Sequence, residues 1–201
     1  MKYIFVLLIL SVTSCNFSEK TESITIGSKE TEYIEIKDFP DNLKAKNIIL
    51  AIGDGVGPNQ ITLSRIAIGG LDHRLFIDQI PYLGTSLTHS YNNAYTDSAA
   101  AATAWSTGHK TKNRYLSLDP DKKILDTIVE MLHKKGYTSG LVATSSVIHA
   151  TPAALYAHID SRYEYKNIAN QLINSSIDIA MGGGKEFFDL NKINDLSLIH
   201  I

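Results

Sequence analysis

Short apolar runs alternate along this chain with longer segments whose apolar residues recur at helical spacing. Residues 46–52 form a short apolar run ending at Gly53, the pattern of a strand buried on both faces. A sharp loop through Gly53, Gly55, Gly57 and Pro58 follows, and residues 59–68 read as a helix stopped by Gly69 and Gly70. Residues 82–88 read as a second strand, 98–107 as a helix closed by Gly108, and 124–135 as a helix closed by Gly136. Beyond these come a strand at 139–144, a helix from Pro152 to about Ile159, a helix at 165–173 and a strand at 177–181. Strands alternating with helices predict an α/β fold, a layered α/β/α domain around a largely parallel sheet. Ligands of such domains bind at the carboxyl ends of the strands.

The first residues follow a different pattern. Lys2 precedes an apolar stretch, residues 3–10, that is too short to span a bilayer, and small residues then lead to Cys15. This is the pattern of a cleaved export signal. Val12, Thr13 and Ser14 directly before the lone cysteine resemble the lipobox of bacterial lipoproteins, so residues 1–15 are expected to be a signal with Cys15 as the lipidated anchor. An exported protein on the periplasmic side of a bacterial membrane is implied. With a single cysteine, no disulfide can form within the monomer. Residues 16–45 are polar and charged and read as a tether with one short strand at 33–36. There is no internal repeat.

Composition narrows the partners. A chain of 201 residues, 44% hydrophobic and 20% charged, can bury a core. Nineteen basic against 21 acidic side chains leave a net charge of -2, which gives no electrostatic footprint for nucleic acid.

Candidate chemistry gathers where strands end. Asp54 follows the first predicted strand; it is either a turn aspartate between glycines or a ligand-facing carboxylate. The flanking glycines match neither the dinucleotide fingerprint nor a phosphate-binding P-loop. Ser98 opens the helix at 98–107, either as its N-cap or as a nucleophile at a helix terminus that favours anions. The alanines at 99–102 then either pack closely or leave open space above the helix start. No Gly-x-Ser-x-Gly elbow surrounds Ser98, so activation by a metal suits it better than a hydrolase triad. His149 and Thr151 stand two apart, so in an extended segment both would project to one side; His149 is either a core histidine with its hydrogen bonds satisfied or, with Thr151, a group facing a metal or its bound water. Arg162 reads as a surface residue or as a bidentate clamp on a tetrahedral oxyanion. His73, His89, His109, His133 and His158 show no ligand spacing.

Taken in order, three stretches carry a resemblance. They are the run from Lys46 through Asp54 to Gly57, the run from Thr96 through Ser98 to Gly108, and the run from His149 through Thr151 to Arg162. Together they closely resemble the alkaline phosphatases, over residues 46–188. The resemblance implies phosphate monoester hydrolysis through a phosphoserine at Ser98, with Arg162 holding the phosphoryl oxygens and Asp97 orienting Arg162. It implies that Asp54 bridges a zinc and the magnesium site, and that His149 and Thr151 help build the third metal site. Two Zn2+ and one Mg2+ are expected in the complete enzyme, with the third ion zinc or magnesium because a histidine stands at His149. The family draws most of its zinc ligands from a later half of the sequence, and residues 189–201 match nothing in it. The chain therefore reads as the N-terminal portion of such an enzyme, not expected to be active by itself. A homodimer is allowed, and phosphate monoesters are the expected substrates. Two other readings stand beside this one: a phosphodiesterase or sulfatase-like hydrolase of the same superfamily, and a catalytically silent phosphate-binding lipoprotein.

Overall fold

Helices in this chain are decided at their ends. In the computed structural model, which describes residues 26–35, 44–188 and 197–199, α1 (Pro58–Gly69) starts with proline in its first turn, where the missing N–H loses no bond. Gln60 Oε1 closes that entry by accepting the Gly57 N–H at 3.0 Å. α2 (Ser98–Thr107) is capped by Asp97 and ends at Gly108, whose φ of 79° is left-handed backbone that glycine adopts freely. α3 (Ile128–His133) opens on a reciprocal capping box: Thr127 Oγ1 accepts the Glu130 N–H at 3.2 Å and Glu130 Oε2 accepts the Thr127 N–H at 2.7 Å. α4 (Ala150–Ala153) is a single turn, and α5 (Tyr165–Ile173) buries Ile168, Ala169 and Leu172 along one face.

The described residues divide into two compact units, residues 26–35 with 57–81 and residues 44–56 with 82–188 and 197–199. In the first, α1 is followed by a 3₁₀ turn, Phe76–Gln79. Arg65 grips Asp78 with both Nε, at 3.1 Å, and Nη2, at 2.7 Å, which holds the Asp78 carboxyl below the usual carboxylate range. The expected strand at 33–36 is absent from residues 33–35, and Ile36 lies outside the described residues.

The second unit holds a parallel sheet of β1 (Gly140–Ser146), β2 (Ile179–Gly183) and β3 (Ser197–Ile199) in that spatial order. Leu141 pairs with Ala180, and Ala180 with Leu198. Parallel neighbours require a crossover, and α4 and α5 supply the chain between β1 and β2. At Gly182 a Cβ would come within 2.8 Å of the Ala143 carbonyl oxygen, so the close approach of β1 to β2 requires glycine there. The core lies where α2, the segment from Val147 to Ala157 and α5 meet: Leu116, Ile148, Ile168 and Leu172 are almost wholly buried. This is an α/β fold with a parallel sheet, as expected.

Several elements differ from the sequence expectation. Residues 46–52 and 82–88 form no strand; Ile49 is 95% exposed and Leu83 94%. A buried parallel strand is held by ladder bonds from neighbours and by cover on both faces, and neither run is paired among the described residues. The helix expected at 124–135 begins only at Ile128, because Leu125 N–H bonds the Ser117 carbonyl and Ile124 bridges Leu118. The helix expected from Pro152 to Ile159 ends early. Ser117 Oγ and Thr127 Oγ1 take the carbonyls of Ala154 and Leu155, at 2.6 and 2.8 Å, and Leu116 and Ile159 exchange two backbone bonds. Ser197–Ile199, in the stretch for which the sequence offers no reading, adds a strand. The expected signal with Cys15, residues 16–25 and 36–43 of the tether and residues 189–196 lie outside the described residues. Among the described residues no helix is long and apolar enough to cross a membrane.

Tyr156 yields a pH prediction. Its hydroxyl donates to the Val147 carbonyl at 2.9 Å, and burial pushes the phenol far above its ordinary value. A raised folded-state value means full stability below the unfolded phenol's pKa of about 10 and progressive loss above it. Urea unfolding followed from neutral to strongly alkaline pH should show this decline in the parent and a flatter profile in Tyr156→Phe; identical slopes would remove Tyr156 as the cause.

Candidate active site

Asp97 organises the site from its place in the backbone. As N-cap of α2 it accepts the Ala100 N–H on Oδ1 at 2.9 Å, and its other oxygen, Oδ2, accepts the Arg114 N–H at 3.0 Å. Its own N–H donates to Asn113 Oδ1 at 3.2 Å. Ser98 is therefore the first helical residue and not the cap. This frees its hydroxyl, which donates to Asp54 Oδ1 at 3.1 Å.

The alanines after Ser98 are packing positions. Ala99, Ala100 and Ala102 are buried, and α2 lies against α4 and the alanines that follow it. The open space expected above the helix start is not made by them; small side chains here let two helical segments approach closely.

Asp54 sits in the turn after Gly53, where the Val56 N–H bonds the Gly53 carbonyl at 3.2 Å. It joins distant parts of the sequence: besides Ser98, Thr151 Oγ1 donates to its Oδ2 at 2.6 Å. Asp54, Ser98 and Thr151 thus place three oxygen-bearing side chains together.

Arg162 lies in a second, adjoining group. Its side chain is only 13% exposed, its Nη1 donates to Asp97 Oδ2 at 3.3 Å, and its backbone N–H donates to the Arg114 carbonyl at 2.9 Å. Nη2 lies 3.4 Å from His149 Nε2, where the imidazole can only accept, since a guanidinium offers no lone pair. His149 and Thr151 thus turn to different neighbours. The shared side expected of them assumes extended backbone, whereas His149 caps α4 and Thr151 lies within it, and the helical period separates residues two apart. The structure brings Asp97 to Arg162 and Asp54 to Ser98 and Thr151, and it joins the two groups through the Asp97–Ser98 peptide bond.

Two contributors escape a sequence reading. Asn113 receives the Asp97 N–H and donates from Nδ2 to the Tyr95 carbonyl at 2.9 Å, bracing the entry to α2. Arg114 supports Asp97 and Arg162 through its backbone alone. The only hint is the turn preference of asparagine within the polar stretch at 109–114.

The donor chemistry bears on metals. Asp54 with the Thr151 and Ser98 hydroxyls is an all-oxygen set that suits a hard cation such as Mg2+. Zinc shells are built from histidine, cysteine and carboxylate, and among the described residues no three of these converge. The site therefore offers one corner of a coordination sphere.

A family profile described as alkaline phosphatase matches residues 45–197. The alkaline phosphatase of Escherichia coli K12 is 38% identical over 179 residues, covering 76% of this chain and 38% of that protein. Among solved structures, a cold-active alkaline phosphatase from a psychrophilic Shewanella superposes with a TM-score of 0.65 at 33% identity, over 71% of this chain and 37% of the other. A variant of the TAB5 alkaline phosphatase, in which a histidine is replaced by aspartate and Mg is bound in the M3 site, superposes with a TM-score of 0.50 at 38% identity, over 54% and 32%. The chain spans about two fifths of the length of the Escherichia coli relative. A match over three quarters of the sequence, by profile and by relatives alike, establishes that the chain belongs to the alkaline phosphatase family.

Proposed function

We propose that this chain carries the nucleophile side of a phosphomonoesterase site, with Ser98 as the residue that becomes phosphorylated. The observation that carries the reading is the Ser98 hydroxyl, freed from capping by Asp97 and donating to Asp54 at the start of α2. In this reading Asp54 holds the serine proton and fixes the rotamer, so that the oxygen lone pairs face an incoming phosphoryl group. The helix N-terminus favours the anion. Arg162, braced by Asp97 and by the Arg114 carbonyl, presents guanidinium N–H groups to the phosphoryl oxygens.

A carboxylate is too weak a base to ionise a serine outright, which is why metal ions belong to the proposal. Asp54 and Thr151 would help hold the third ion, and zinc, when bound beside Asp54, would supply the Lewis acidity that makes a serine nucleophilic near neutral pH. The proposal keeps two zinc ions and a third, zinc or magnesium, near His149: imidazole suits zinc, whereas carboxylate suits magnesium. The TAB5 variant that has aspartate in place of a histidine and Mg in its M3 site supports that order of preference.

A zinc titration of the chain with a chromogenic phosphate monoester, alongside calorimetry with inorganic phosphate, tests the reading. Turnover that depends on Ser98 supports it. Phosphate binding without turnover at saturating zinc leaves the second reading, a silent phosphate-binding protein. The proposal extends to export and lipidation at Cys15; mass spectrometry of membrane-extracted protein should find the mature chain starting at a lipidated Cys15, and an unmodified soluble chain would refute that part.

A further inference from the structure

We propose that Arg114 is a second anion-binding residue that selects ligands carrying two adjacent phosphoryl groups, one for Arg162 and one for itself. This rests on the phosphate site proposed above. Three observations converge on it.

The backbone of Arg114 is held in place at the site: its N–H donates to Asp97 Oδ2 at 3.0 Å and its carbonyl accepts from the Arg162 N–H at 2.9 Å. That backbone has a φ of 76°, a left-handed conformation that costs a non-glycine residue of order 1 kcal/mol. Glycine would carry the same two backbone bonds with no such cost, so the position gains nothing locally from an arginine.

The Arg114 guanidinium shares an aromatic neighbour with that of Arg162. Arg114 Cζ lies 5.7 Å from the Tyr163 ring centroid and Arg162 Cζ lies 6.0 Å from the same centroid. The two guanidinium carbons are therefore no more than about 12 Å apart, the sum of those distances. Two neighbouring phosphoryl groups, each paired to a guanidinium through hydrogen bonds of about 2.8 Å, can bridge such a span.

The charges differ in what they already bind. Arg162 is paired with Asp97 and is largely buried, whereas Arg114 is exposed and, among the described residues, has no carboxylate within ion-pair distance. Two cations near one ring repel each other, and a ligand with charge on two adjacent groups turns that repulsion into attraction. A lone orthophosphate placed against Arg162 gains little from Arg114.

Calorimetry on the 201-residue chain with pyrophosphate and with orthophosphate reads this directly. Pyrophosphate is expected to bind about tenfold more tightly than orthophosphate, the order expected of one charge-assisted contact, with the preference shrinking as salt rises. Arg114→Gly, which suits the left-handed backbone and keeps both backbone bonds, should bring the ratio close to one while orthophosphate affinity stays within about twofold. Arg114→Lys should retain part of the preference through its charge. An unchanged ratio in Arg114→Gly, with orthophosphate still bound, overturns this assignment and leaves the phosphate site standing. Failure of the parent chain to bind either anion overturns both.

Discussion

Ser98→Ala is expected to abolish phosphoserine formation and to lower whatever zinc-dependent ester turnover the parent chain shows by at least about a thousandfold, as loss of a covalent nucleophile does in enzymes that use one. The structure makes this variant unusually clean to interpret. Asp97, not Ser98, caps α2, so removing the hydroxyl leaves the bond to the Ala100 N–H intact. What is lost is one exposed hydrogen bond to Asp54. Stability should change by less than about 1 kcal/mol, since an exposed bond contributes little net. Orthophosphate binding through Arg162 should persist. Urea unfolding, calorimetry and a chromogenic ester assay on the same preparation separate these effects. Undiminished turnover in Ser98→Ala would sink the nucleophile assignment, and a large fall in stability would mean that the serine serves the fold.

Asp97→Ala should be the most destabilising single change at the site. It removes the N-cap acceptor of α2, costing about 1 kcal/mol. It also strips partners from the Arg114 N–H and from the largely buried Arg162 guanidinium, adding about 1–2 kcal/mol. A combined loss of about 2–3 kcal/mol is large against the 5–15 kcal/mol typical of a domain. Asp97→Asn divides the two roles, because asparagine also caps helices well but brings no charge. Urea unfolding should therefore show the asparagine variant losing about 1 kcal/mol, mostly through Arg162. Orthophosphate affinity should fall in both variants, since an Arg162 without its anchor must be ordered by the ligand itself. Equal destabilisation by alanine and asparagine would make charge the whole of Asp97's contribution; no destabilisation by either would remove Asp97 as an organiser.

The ends of helices were legible because capping is local chemistry. Gly108 closes α2 and Gly70 caps the end of α1 as the sequence predicts, whereas the entries lie one residue earlier: Asp97, not Ser98, caps α2, and Pro58, not Asn59, opens α1. The α5 pattern is equally local, since its apolar stripe is written at helical spacing. Strands are less legible. The runs at 46–52 and 82–88 have the apolar content of buried strands, yet pairing is a property of two segments and cover a property of a third. The helical pattern extends beyond α3 and α4 for a related reason: it continues past residues whose backbone groups are claimed by Ser117, Thr127 and Leu116.

The same division runs through the site. By itself the sequence determined which residues could carry chemistry and which family the chain belongs to, because the motifs around Asp54, Ser98 and Arg162 are contiguous strings. Only the tertiary structure decided how they meet. Asp54 reaches Thr151 across 97 positions and Ser98 across 44, His149 turns to Arg162, and the alanines of α2 prove to be packing surface. The left-handed backbone of Arg114 and the ring it shares with Arg162 are likewise properties of the folded chain. The physical reason is one of range: capping and periodicity act within a few residues, while convergence of side chains depends on loop closure and packing that no local pattern encodes.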